Sequence, residues 1–211
     1  PGAAGGYTFA GIRDGNIVPY TDAIVMETIQ GQTVSSSSNY DVTLASGTSN
    51  TNATPSVNTL RFLNTGTVTY TNTGNGRLTA NAIMAAGTGA VNLNGAGTRA
   101  GSSNELLLIA ASAPINVGGP LIDNGSASGS MTIMGPNTVT FSSSSNSYTG
   151  ATNILGGNLV LSGSGTINSS SRVNIDGGGS LVLASSAGVQ PPVNLQSGSI
   201  SGKGSFNSIT V

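Results

Sequence analysis

Residues 152–161 read TNILGGNLVL, residues 173–183 read VNIDGGGSLVL and residues 193–200 read VNLQSGSI. Superposed, they share one order: a β-branched residue, Asn, an aliphatic residue, a Gly-containing turn, then a second aliphatic stretch. The central aliphatics Ile154, Ile175 and Leu195 recur at intervals of 21 and 20 residues, and Leu159, Leu161, Leu181, Leu183 and Ile200 fill the second stretch. A unit of this length with two or three short alternating strands cannot bury its own apolar face, but stacking it on the next unit does so. The pattern therefore predicts an all-β parallel β-helix in a single domain, with about 20 residues per coil and these eight aliphatics as its repeating core. At about 4.8 Å per coil, ten coils would make a rod of roughly 50 Å. A Greek-key sandwich also has many short strands, but it does not require the same turn and the same Asn in each repeat.

The Asn that recurs once per coil, as Asn153, Asn174 and Asn194, points to amides stacked into a hydrogen-bonded ladder along the axis. If those side chains face outwards, the ladder becomes a polar stripe and a binding face.

Composition supports the reading. Of 211 residues only 6% are charged and 4% aromatic, so Ser, Thr, Asn and Gly must supply the polar surface. Disorder by the usual route needs low hydrophobicity with high net charge, whereas here 36% is hydrophobic and the net charge is -1. The apolar residues are mainly Val, Ile and Leu interleaved with Thr, which suits pleated strands. Asn75-Gly76, Asn94-Gly95 and Asn124-Gly125 mark tight turns.

Further strands are expected at 57–63, 67–71, 77–84, 90–93, 105–110, 114–117, 131–134 and 138–141. Residues 35–38 and 48–54 offer no aliphatic anchor and read as exposed loops. Residues 21–30 fit a short helix or a strand equally well. Residues 1–45 hold Asp14, Asp22, Glu27 and Asp41, four of the seven acids, with Tyr7, Tyr20 and Tyr40. This enrichment suggests a flap or excursion over residues 1–45, packed on a solenoid spanning 46–211.

Thr138-Val139-Thr140-Phe141, Asn146-Ser147-Tyr148-Thr149-Gly150 and the run from Thr152 through Gly156-Gly157 to Leu159-Val160-Leu161-Ser162-Gly163 resemble the autotransporter-associated β-strand repeat. That motif reads as a strand, then N-x-Y-T-G-x-T, a Gly-Gly turn and L-x-L-S-G; Ala151 and Asn158 depart from its usual residues. Residues 57–62, 104–108 and 114–125 are similar to stretches that precede this repeat in long secreted proteins. The resemblance implies a right-handed parallel β-helix exposed outside a Gram-negative-type bacterium.

Chemistry is scarce. No His and no Cys is present, which removes the commonest general base, the commonest metal ligands and any serine triad. Glu105, Asp123 and Asp176 lie 18 and 53 residues apart, out of step with a 20-residue coil, where a polysaccharide-cleaving β-helix would cluster its acids. A Ca²⁺ site from Asp14, Asp22 and Glu27 would lack the D-x-D-x-D-G spacing. Six scattered basic residues make no stripe for nucleic acid. The longest apolar run, residues 106–111, is far short of the ~20 that span a bilayer, so no membrane insertion of this segment is expected.

The expectation is a non-catalytic extracellular structural protein without cofactor or metal, at a bacterial surface or in a biofilm matrix. Near-zero net charge favours association. The strand at 205–211 stops without a cap, and Pro1-Gly2 resembles the turn after such a rung. Its expected partner is therefore itself, as a head-to-tail filament or as tandem repeats in a longer chain. The alternatives are an adhesin stalk that binds glycans through exposed tyrosines and, last, a polysaccharide-active enzyme.

Overall fold

The computed structural model describes residues 7–13, 16–27, 32–51 and 54–211, and every regular element among them is a strand. An antiparallel hairpin comes first, β1 (Ala10–Arg13) with β2 (Asn16–Pro19). Then follow β3 (Ile24–Met26), β4 (Asn39–Val42), β5 (Gly47–Thr51), β6 (Thr59–Phe62), β7 (Val68–Asn72), β8 (Leu78–Ala80), β9 (Ala82–Ala85), β10 (Val91–Gly95) and β11 (Thr98–Ala100). The next are β12 (Glu105–Ile109), β13 (Ile115–Val117), β14 (Leu121–Ile122), β15 (Ser130–Met134), β16 (Thr138–Phe141), β17 (Thr152–Leu155) and β18 (Asn158–Leu161). The chain continues through β19 (Val173–Asp176), β20 (Gly179–Gln190), β21 (Val193–Leu195), β22 (Gly198–Phe206) and β23 (Ile209–Thr210).

Beyond the hairpin, the strands form three stacked parallel sheets of a β-solenoid. The first has ten strands in the order β3-β4-β6-β9-β12-β15-β17-β19-β21-β23; the second has eight, β5-β7-β10-β13-β16-β18-β20-β22. A short third sheet, β8-β11-β14, closes the other side of three coils.

Along each strand, alternate residues point inwards, and parallel register stacks like on like. In the ten-stranded sheet Tyr40, Leu60, Ile83, Leu108, Ile133, Ile154, Ile175 and Leu195 form one column. In the eight-stranded sheet Val68, Val91, Ile115, Val139, Leu159, Leu181 and Ile200 form a second, and Tyr70, Leu93, Val117, Phe141, Leu161 and Leu183 a third. Ile154, Leu159, Leu161, Ile175, Leu181 and Leu183 are buried, while Leu195 and Ile200, in the last described coils, are half-buried against the same core.

Coil length explains why the period is plain only in the last third. The steps from Leu60 to Ile83, Leu108, Ile133, Ile154, Ile175 and Leu195 are 23, 25, 25, 21, 21 and 20 residues. The three longer coils are those that insert a strand into the third sheet, and the shorter ones replace it with a turn. The expected uniform 20-residue coil holds for the second kind alone.

Two further expectations are revised and one that was left open is resolved. The ladder already includes Ile24, paired with Tyr40, so the solenoid reaches well above residue 46, and Tyr40 and Val42 belong to its core. Among the described residues only the hairpin stands apart from the stack. Residues 48–51 are not a loop: β5 pairs with β7, and buried Ser49 takes the inward place above Tyr70 that an aliphatic holds elsewhere. Residues 24–26, within the segment that fits helix or strand, are a strand.

Turns follow from glycine where it is required. Gly156 and Gly177 adopt φ of 68° and 62° in the Gly-rich turns between the first and second sheets. Gly95 has φ of 93°, and a Cβ there would stand 1.9 Å from the carbonyl oxygen of Asn72 on the coil beside it.

Candidate functional site

Between Leu121 and Ser170 the chain folds into a corner that joins neighbouring coils through side chains. Asn146 is buried; its Oδ1 accepts from the Leu121 amide (2.8 Å) and its Nδ2 donates to the Thr166 carbonyl (2.9 Å). One side-chain amide thereby continues the third sheet's hydrogen bonding where the backbone no longer makes a strand. Gln190 does similar work two coils on, its Oε1 accepting from the Ile167 amide at 3.2 Å.

Tyr148, fully buried, fills the core behind Asn146, and its hydroxyl meets Thr152 Oγ1 at 2.7 Å. Thr152 donates to Ser170 Oγ (2.9 Å), which in turn bonds the Gly150 carbonyl (2.9 Å). Burial pushes the Tyr148 hydroxyl far above its ordinary pKa, so it stays protonated and serves as a structural link.

On the outer side of the same corner, Asp123 clasps the excursion at 124–128. Its Oδ1 accepts from the amides of Gly129 (2.7 Å) and Thr149 (3.0 Å), and its Oδ2 from Thr149 Oγ1 (2.7 Å). Partial burial works to raise its pKa, but these three donors outweigh it and hold the carboxyl below the usual range. Asp176 is held low by the Gly177 amide and Ser197 Oγ, as a turn residue.

The acids are not brought together. Asp41 forms a two-pronged pair with Arg61 on the next strand of the outer face, Arg61 Nε donating to Oδ1 at 2.8 Å. Among the described residues no group of three or more acidic side chains could hold a metal ion. Asp14 lies outside the described residues, and Asp22 and Glu27 are exposed. Tyr40, Tyr70 and Tyr148 are buried, leaving Tyr7 exposed and Tyr20 half-exposed.

Two outer faces remain, and they differ. On the ten-stranded sheet Asn153, Asn174 and Asn194 stand in register, half-buried and pointing outwards. Asn174 Nδ2 donates to Asn153 Oδ1 (2.8 Å), Asn153 Nδ2 to Thr132 Oγ1 (3.2 Å), and Thr132 Oγ1 to Glu105. Beside this polar row runs an apolar one, Met84, Ile109 and Met134, and the Asp41–Arg61 pair lies on the same face.

The eight-stranded sheet presents the row Thr48, Thr69, Asn92, Asn116, Thr140, Val160, Val182 and Ser201, one residue per strand in unbroken register. Asn116 Nδ2 donates to Asn92 Oδ1 (2.9 Å), and Asn92 Nδ2 to Thr69 Oγ1 (3.0 Å). Flanking outward positions are Thr71 and Asn94 on one side and Thr138, Asn158, Ser180 and Ser199 on the other. The amide ladder of the first face was foreshadowed by its repeated Asn. This second row mixes Thr, Asn and Val, and is visible only once the register is known.

Comparison with known proteins found no matching family, no similar curated protein and no similar solved structure.

Proposed function

We propose that the chain is a non-catalytic structural segment of a bacterial cell-surface or matrix fibre, of the autotransporter-associated repeat type, extended along its axis by further coils. The supporting observation is the set of unbroken inward columns, with the outermost described strands of each large sheet paired on one side only. These strands leave aliphatics in water: Ile24 is 50% exposed at one end and Ile209 51% at the other. An unpaired parallel edge above an open apolar column is a template for another strand of the same kind. That strand comes from the same polypeptide or from a second copy, and a surface so poor in charge opposes neither.

Electron microscopy of the protein as purified from its source tests the reading. Unbranched rods with an axial repeat near 4.8 Å support it, and dispersed globules in native material count against it.

A second reading, a stalk that binds glycans, is favoured by one observation: the Asn153–Asn174 row faces outwards. Tyr40 and Tyr148 are buried and offer it no stacking platform. Saturable glycan binding that disappears with Asn153→Ala and Asn174→Ala would favour it.

A further inference from the structure

We infer that the outer face of the eight-stranded sheet is an adsorption surface for ice, the ordered lattice of water itself. The inference is independent of whether the solenoid is extended into a fibre.

Parallel, in-register pairing places outward side chains on a two-dimensional grid, about 4.8 Å from strand to strand and roughly 6.6 Å between alternate residues along a strand. The central row runs over eight strands, roughly 34 Å on that spacing, and the flanking positions widen it by one row over two strands on one side and over four on the other. A dissolved small molecule gains affinity from a concave site that surrounds it. An open grid gains most from a partner that repeats on a similar grid, because each anchored point makes the next attachment intramolecular. Hexagonal ice presents oxygen rows at repeats close to the rung spacing.

The chemistry of the face narrows the partner. From β5 to β20 the outward positions named above are Thr, Asn, Ser and Val, and none is charged; the first charge in line is Lys203, on β22. Charged groups bind a hydration shell that does not fit ice, whereas a hydroxyl paired with a methyl can both anchor a water and exclude one. Val160 and Val182 match Thr in shape within the same row. The bonds from Asn116 to Asn92 and from Asn92 to Thr69 fix those amides before any ligand arrives, which lowers the entropy cost of adsorption. A crystalline polysaccharide would instead seek aromatic platforms, and Tyr70 and Phe141 on these strands point inwards. The ten-stranded sheet serves as an internal contrast, since its outer face carries Asp41, Arg61, Glu105 and Asp176.

The test is freezing-point depression relative to melting, with ice-crystal shape, for the intact chain and three variants. Thr69→Lys and Thr140→Lys put a charge into the row at half-exposed positions; Asn174→Lys puts the same charge on the other sheet. The parent and Asn174→Lys are expected to show a hysteresis gap and faceted crystals, and the two threonine variants to lose most of the gap while keeping the parent's circular dichroism and melting temperature. Val160→Thr, which adds a hydroxyl without changing shape, should preserve or widen the gap and keeps the test open should a lysine variant misfold. A parent that freezes and melts at one temperature overturns the inference. So does a gap that survives Thr69→Lys and Thr140→Lys in folded protein, or one lost equally with Asn174→Lys. Rod formation is read separately, by microscopy.

Discussion

Ile175 lies between Ile154 and Leu195 in the inward column and is fully buried, so truncating it leaves a void that both neighbouring coils must share. Ile175→Ala should destabilise by about 2–5 kcal/mol, and Ile200→Ala, half-buried at the edge of the stack, by clearly less; chemical denaturation measures both. Asp123 illustrates a second kind of residue-scale control. Its carboxyl titrates below the ordinary value of 3.8, so in acid the unfolded chain binds the proton first and the clasp's contribution is lost as pH falls through the folded value. Above about pH 5 that contribution is complete, because the unfolded carboxyl, near 3.9, is then ionised too. The prediction is a stability gap between parent and Asp123→Asn that is constant at neutral pH and closes on acidification below about pH 4. A gap that widens in acid would mean that the Gly129 and Thr149 bonds do not favour the charged form.

Elements show what is legible in a single sequence and what is not. Strands β17 to β21 could be read directly, because their coils omit the third-sheet strand and keep a near-constant length. Upstream, β8 and β9 merge into one apolar run, 77–84, since the chain turns a corner at Asn81 without a Gly or Pro to mark it. β11 and β14 are too short to show alternation, and β5 has Ser49 where an aliphatic was sought. The corner residues were hidden for another reason: Asn146 and Asp123 act on partners 20 to 26 residues away, one coil removed. Only a known coil length turns that separation into a contact. The corner makes a clear prediction at this scale. Asn146→Ala leaves the buried Leu121 amide without its acceptor, which costs about 1–3 kcal/mol. The loss should appear as faster hydrogen exchange at Leu121 before it appears anywhere in the first sheet.

At the scale of the whole molecule, each coil touches little beyond its two neighbours, so stability accumulates along one dimension instead of around a common centre. The segment that leads into the hairpin adds a lateral tie, Arg61 Nη1 donating to the Tyr7 carbonyl at 3.2 Å. Coils in the middle are supported on both sides and those at the ends on one, which makes opening from the ends the cheapest motion. Native-state hydrogen exchange should therefore grade along the axis, with amides of β12, β15 and β17 slowest and those of β3 and β23 fastest. Added coils, from either source, would convert an end into a middle. The exchange of β23 amides should then slow in assembled material while that of β15 remains unchanged. An Ile209→Lys substitution, which sets a charge at the exposed end of the inward column that runs through Val173 and Val193, should block this slowing while the gradient from β12 to β19 within the single chain stays intact. Uniform protection from β3 to β23 in the unassembled chain would show that the coils unfold as one unit, and the templated extension would lose its physical basis.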